Sequence, residues 1–91
     1  MQVVFAWAAK ADLVSIIEYI APHNPRAAHS LVDDIESLCL GPLARHPHMG
    51  KAYRDNIRVF YKRGYRIFYQ VTEEQIEILR VIHSARDEYR V

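Results

Sequence analysis

Hydrophobic positions change their spacing twice along this chain. "QVVFAW" at residues 2–7 is short, apolar and β-prone, and predicts a first strand. From Ala8 the period becomes helical. Leu13, Ile16, Ile17 and Ile20 recur at i, i+3, i+4 and i+7, as one face of an amphipathic helix requires, and Pro22 stops the run. "HNPRAA" restarts it. Asn24 can cap, and Pro25 fits the first helical position, where a missing N–H costs nothing. Ala28, Leu31, Val32, Ile35, Leu38 and Cys39 then form a second apolar stripe, which Gly41-Pro42 should end or kink. So short a connection predicts an antiparallel helix hairpin.

"ARHPHMGKAYRDN" reads as a loop of turn residues, and after it the period is two. "IRVFYKR", "YRIFYQV" and "QIEILRVI" predict three strands rich in branched and aromatic residues. Arg63-Gly64 makes a two-residue turn, setting Lys62 opposite Tyr65 and Tyr61 opposite Arg66. A two- or four-residue turn before Ile76 sets Val71 opposite it. Strict alternation then places Tyr65, Ile67, Tyr69, Val71, Ile76, Ile78 and Ile82 on one face, with Arg58, Phe60, Lys62 and Arg80. The other face receives Ile57, Val59, Tyr61, Arg66, Phe68, Leu79, Val81 and His83, with Gln70 and Glu77. The prediction is an α+β fold: an N-terminal strand, then a helix hairpin on one face of a mostly antiparallel sheet with a C-terminal three-stranded meander. The hairpin covers one face only. The second, apolar and carrying Arg66 and His83, is left for a partner.

The 91 residues suit one domain spanning 1–91. One cysteine, Cys39, excludes an intrachain disulfide and falls on the helical stripe, so it belongs to the core. No run approaches a membrane span, and the start "MQVVFAWAAKADL" lacks the pattern of a secretory signal, which predicts a cytoplasmic protein. The net charge of +1 conceals an asymmetry. Within residues 51–66 stand Lys51, Arg54, Arg58, Lys62, Arg63 and Arg66, against a single acid, Asp55. Such a patch favours an acidic partner, a nucleic acid or an acidic protein segment; a solvated charged face is the bland alternative.

The order of these segments resembles the RelE/ParE superfamily of bacterial toxins, over nearly the whole length. "WAAKADLVSIIEYI" is similar to the family's first helix, and "NPRAAHSLVDDIESLCLGPLARHPHMG" to its second helix and following loop. "GYRIFYQVTEEQIEILRVIHSARDEY" resembles its strand pair and terminal run. The "NP-x-AA" helix start and "ILRVIH-x-x-RD" finish look most like a ParE-type toxin of a type II toxin–antitoxin (plasmid stabilisation) system. That resemblance implies growth arrest through binding of DNA gyrase, neutralisation by a ParD-like antitoxin, and no catalytic residues. Arg58, Lys62, Arg66, Arg80 and Arg86 are then the expected partner contacts.

A RelE-like reading implies instead a ribosome-dependent endoribonuclease that cuts mRNA. Metal-free RNA cleavage needs a base, cations for the phosphorane and an acid for the leaving oxygen. Arg66 and Arg86 are the phosphate clamps in that case, His83 the acid or base, and Tyr89 a stacking or proton-transfer group. The plain alternatives are an Arg66–Glu77 cross-strand pair and a hydrogen-bonding His83 at a strand end. His46 and His48 lack a third ligand at fixed spacing, so neither a metal nor any other cofactor is expected. His23 and His29 are expected at the surface. Trp7 and the sheet aromatics are expected in the core, with Tyr53 and Tyr61 the exceptions to watch.

Overall fold

The computed structural model describes residues 1–85. Strand β1 (Gln2–Phe5) leads into helix α1 (Trp7–Ile20), followed by α2 (Pro25–Leu38) and a π-helical turn over Cys39–Leu43. Four strands complete the order: β2 (Lys51–Arg54), β3 (Ile57–Lys62), β4 (Tyr65–Val71) and β5 (Gln75–His83). They form one sheet in the order β1-β5-β4-β3-β2. Strand β1 runs parallel to β5, and the remaining neighbours are antiparallel.

The helices form where the apolar spacing places them. Ala9, Leu13 and Ile16 are the buried positions of α1, and Ala28, Leu31, Val32 and Ile35 those of α2. Asn24 caps α2 through its side chain, which accepts from the Ala27 N–H at 3.0 Å, and Pro25 occupies the first turn. Helix α1 has no side-chain cap. Its entry is fixed instead by the ladder: the Ala6 N–H donates to Ile78 O at 2.8 Å, and the chain turns directly from strand to helix. The helix therefore opens at Trp7, inside the segment the spacing assigns to the strand. Trp7 itself is 84% exposed, against the expectation that it is core. Helix α2 closes at Leu38, just ahead of Gly41-Pro42. Pro42 sits within the π-helical turn, whose wider spacing absorbs the lost donor.

The register matches the two-residue turn at Arg63-Gly64. Both residues have positive φ, 50° and 88°, the geometry that follows the twist of paired strands. Lys62 faces Tyr65 and Tyr61 faces Arg66. Arg63 is tied to α2 through Asp34 at 2.6 Å, a surface ion pair worth little by itself. Val71 faces Ile76 across a turn in which the Thr72 N–H donates to Gln75 O and the Gln75 N–H to Thr72 Oγ1.

Two further features depart from the sequence expectation. Lys51–Arg54, inside the segment read as loop, forms the edge strand β2, exposed throughout. A bulge in β5 also breaks the alternation: Tyr69 faces Ile78 but Phe68 faces Arg80, so Leu79 is the extra residue. Beyond it every side chain changes face. Val81 joins the helix-side core of Phe60, Ile67, Tyr69, Ile76 and Ile78. Ile82 joins Ile57 and Phe68 on the far face, with Val59 and Leu79 packed against them.

Beneath the helices the core is closed around Tyr69, which has no exposed surface. Its hydroxyl donates to Pro47 O at 2.8 Å and accepts from the Gly50 N–H at 3.0 Å, anchoring the loop ahead of β2. A Cβ at Gly50 would lie 2.8 Å from both Tyr69 Oη and Val59 O, so glycine is required by close approach.

Candidate functional site

The far face of the sheet collects cations and aromatic rings. Lys51 faces Val59, and Tyr53 sets its ring edge-on against Phe68 at 5.1 Å. The Arg54 guanidinium lies 5.8 Å from the centre of the Tyr53 ring. Arg66, half-buried, stands across from Ile82 and places its guanidinium 5.6 Å from the centre of the Phe68 ring, within the range of a cation–π contact. Tyr61, across from Arg66, is 65% exposed and Tyr53 is 39% exposed, so both tyrosines singled out in the sequence present ring surface to solvent. The apolar floor is not open. Ile57, Phe68 and Ile82 are buried within this chain, and what the face offers is its rim.

His83 is not part of this face. It stands across from Tyr65, with the two rings edge-to-face at 5.1 Å, and its Nδ1 accepts from the Ala85 N–H at 3.0 Å. Tyr65 alternates with Arg66, so His83 and Arg66 lie on opposite sides of the sheet. The expectation that they share a face is corrected by the Leu79 bulge.

The remaining predicted cations are separated too. Arg58 lies on the helix side, where its guanidinium donates to Gly50 O at 2.6 Å and to His48 O at 3.1 Å. Lys62 is half-buried at the helix-side rim beside Tyr65. Arg80 clasps the Asp12 carboxylate with Nε and Nη2 at 2.8 and 3.0 Å. The same carboxylate accepts from the Val81 N–H at 2.8 Å, so Asp12 pins α1 to the rim of β5. Glu77 accepts from the Gln70 amide at 2.9 Å, which replaces the Arg66–Glu77 pair considered from sequence. Arg86 and Tyr89 lie outside the described residues.

Asp12, Lys51 and Arg54 are the positions the sequence reading passed over. Lys51 and Arg54 were visible as charge within 51–66, and only the unread edge strand hid their face. For Asp12 no local signal exists, because its partners Arg80 and Val81 are remote in the chain.

Between α1 and the rim of β5 runs a groove of about 570 Å³, lined by Ile16, Tyr19, Tyr65, Val81 and His83 among others. No three His, Cys, Asp or Glu side chains gather among the described residues as a metal site would require. His23 and His29 are exposed, as expected. Cys39 is fully buried. Desolvation first, and the Glu36 carboxylate second, push its thiol up to about 12, so it is inert packing. No helix of the described residues is long and apolar enough to cross a membrane.

Comparison with known proteins places this geometry. Residues 3–88 match the family described as ParE toxin of type II toxin–antitoxin system, parDE. The chain is 33% identical over 86 residues to Toxin RelE2 of Caulobacter vibrioides, covering 93% of this chain and 97% of that one. Its fold is similar to that of the chromosomal ParDE toxin–antitoxin system from P. aeruginosa (TM-score 0.79, 24% identity, 91% of this chain and 95% of that one). The toxin–antitoxin complex RelBE2 from Mycobacterium tuberculosis is a second neighbour, with TM-score 0.70 and 25% identity over 93% of this chain and 92% of that one. With the family matched over almost the full length and the two-helix, five-stranded fold shared with both systems, this chain belongs to the ParE toxin family of type II toxin–antitoxin systems, within the RelE/ParE superfamily.

Proposed function

We propose that this toxin arrests growth by binding DNA gyrase, without cleaving a substrate, and that a ParD-like antitoxin neutralises it. The observation that carries this reading is the separation of His83 from Arg66 by the thickness of the sheet. RNA cleavage requires the proton-transfer group and the phosphate-holding cation within reach of one scissile bond. The far face instead presents Lys51, Arg54 and Arg66 with Tyr53 and Tyr61, a cationic and aromatic rim suited to an acidic macromolecular surface. Arg58 and Arg80 are committed to internal acceptors. Their contribution to a partner is therefore indirect, through the loop and helix they hold.

An antitoxin partner is supported by the company this fold keeps: the similar structures include toxin–antitoxin complexes from Mycobacterium tuberculosis and from Pyrococcus horikoshii. One observation favours a second reading, ribosome-dependent mRNA cleavage using Arg66, His83, Arg86 and Tyr89: the curated relative at 33% identity bears the name RelE2.

Expressing the chain alone in bacteria separates the two. Gyrase binding gives growth arrest, an induced DNA-damage response, intact messages, and loss of supercoiling activity when purified chain is added to purified gyrase. Messages cut within minutes of induction, with supercoiling unaffected, would favour the nuclease.

A further inference from the structure

The two helices turn opposite characters toward solvent. Outside its packed stripe, α2 exposes His29, Ser30, Asp33 and Ser37, all polar. Helix α1 does the reverse. Trp7 is 84% exposed and Val14 is 55% exposed, and Ala11 lies exposed between them. At about 100° per residue these three fall within about 60° of one another around the helix, one stripe turned away from the buried Ala9, Leu13 and Ile16. A tryptophan this open to water is a residue type that anchors interfaces.

Two charges belong to the same stripe. Lys10 and Glu18 are both exposed, about 40° to either side of Val14 and about one turn from it in opposite directions along the axis. Neither has an oppositely charged residue three or four positions away on its own helix. Neither side chain makes an ion pair among the described residues. The stripe is therefore complementary to its own reverse. A cation precedes Val14 by as many positions as an anion follows it. The large Trp7 precedes it by as many as the small Ala21, where the helical backbone ends, follows.

We infer that α1 pairs with α1 of a second copy of this chain, antiparallel about a two-fold axis that passes Val14. Such an axis sets each residue ahead of Val14 beside the residue equally far behind it in the second copy. Val14 then meets its own counterpart. Lys10 meets Glu18 of the second copy, and the same pair recurs on the other side of the axis. The Trp7 ring covers Ala21 and Pro22 of the second copy, and Ala11 is small enough to let the two axes approach. The symmetry commits the occupant: an unrelated partner demands no opposite charges at equal distances from one central residue, whereas a second copy does. A single helix pair falls short of the roughly 1,200–2,000 Å² of a standard interface, so the dimer is weak and forms at about micromolar concentrations and above. None of this depends on the gyrase or antitoxin reading.

The test uses the purified full chain without antitoxin. Trp7 is its only tryptophan, so tryptophan emission reports the contact directly. Sedimentation equilibrium from about 1 to 200 µM shows reversible dimerisation, and the emission moves to the blue over the same range. Lys10→Glu brings like charges together at two places and weakens the dimer by about tenfold, as does Glu18→Lys. Lys10→Glu combined with Glu18→Lys restores it to within about threefold. Circular dichroism checks that each variant keeps its fold. Val14→Cys, beside the axis, joins two copies through a disulfide under mild oxidation, whereas Asp33→Cys on the outer face of α2 does not. The native Cys39 is buried and does not compete. A chain that stays monomeric throughout the range overturns the inference. So does a dimer indifferent to Lys10→Glu, one that the double reversal fails to restore, or equal cross-linking through Val14→Cys and Asp33→Cys. Emission that shifts only when antitoxin is added gives this face to the antitoxin and overturns the inference as well.

Discussion

The two faces of the sheet are built from similar residues and do different things. Under the helices, Ile35, Ile67, Tyr69, Ile76 and Ile78 have no exposed surface, and even the Tyr69 hydroxyl is satisfied by the backbone of the 47–50 loop. On the far side the buried cluster among the described residues is Ile57, Phe68 and Ile82, and charged and aromatic side chains rim it. Burial of apolar area stabilises the first face. The second contributes less to stability and carries the groups an acidic surface would meet. Close packing and exposed charge are thus divided between opposite sides of one five-stranded layer.

That division can be broken experimentally. Ile78→Ala, in the closed face, should cost about 2–5 kcal/mol of unfolding free energy, because the cavity under the helix pair cannot collapse. Urea or thermal unfolding measures this, and a loss below 1 kcal/mol would mean that the face is loosely packed. Gly50→Ala should cost about 1–3 kcal/mol, since the new Cβ meets backbone as well as the Tyr69 hydroxyl. Asp12→Asn should cost about 1–3 kcal/mol by weakening the clasp on Arg80 and the bond from Val81, with faster exchange of the Val81 amide as its signature.

On the open face the expectation reverses. Lys51→Ala with Arg54→Ala should change stability by no more than about 0.5 kcal/mol, yet weaken toxicity or antitoxin binding and flatten its salt dependence. Equal stability with unaltered binding and toxicity would remove the far rim from the interface. The smallest effect belongs to Cys39. Its thiol titrates well above the ordinary value of 9.0, so the stabilisation is complete below that pH and falls away as pH rises toward about 12. At pH 8 the native thiol should resist alkylation until the chain unfolds.

Most of the fold could be read from spacing. The helix stripes, the Asn24 cap and the Arg63-Gly64 turn each carry a local physical cause that the residues state directly. The edge strand Lys51–Arg54 was illegible because it buries nothing and so shows no alternation. The site was less legible still. Its layout depends on Leu79, and in "EILRVIH" the four aliphatic positions fall in adjacent pairs that suit either side, so no pattern reports an added residue. Trp7 misled for the opposite reason: a large ring in an apolar run suggests a core, but the run ends where the ladder ends.

The extra residue at Leu79 shifts the parity of the strand. All positions after it, to the end of the strand, sit one step out of the alternation that holds before it. Deleting that residue would leave Val81 opposite Ile67 and His83 opposite Tyr65, because those pairs already exist, and would restore plain alternation along β5. The far-face cluster of Ile57, Phe68 and Ile82 would lose the Leu79 side chain packed against it, while His83 and Arg66 would stay on opposite sides. The bulge is thus where the strand's two halves are reconciled, and its loss would alter local twist without moving any later residue to the other side.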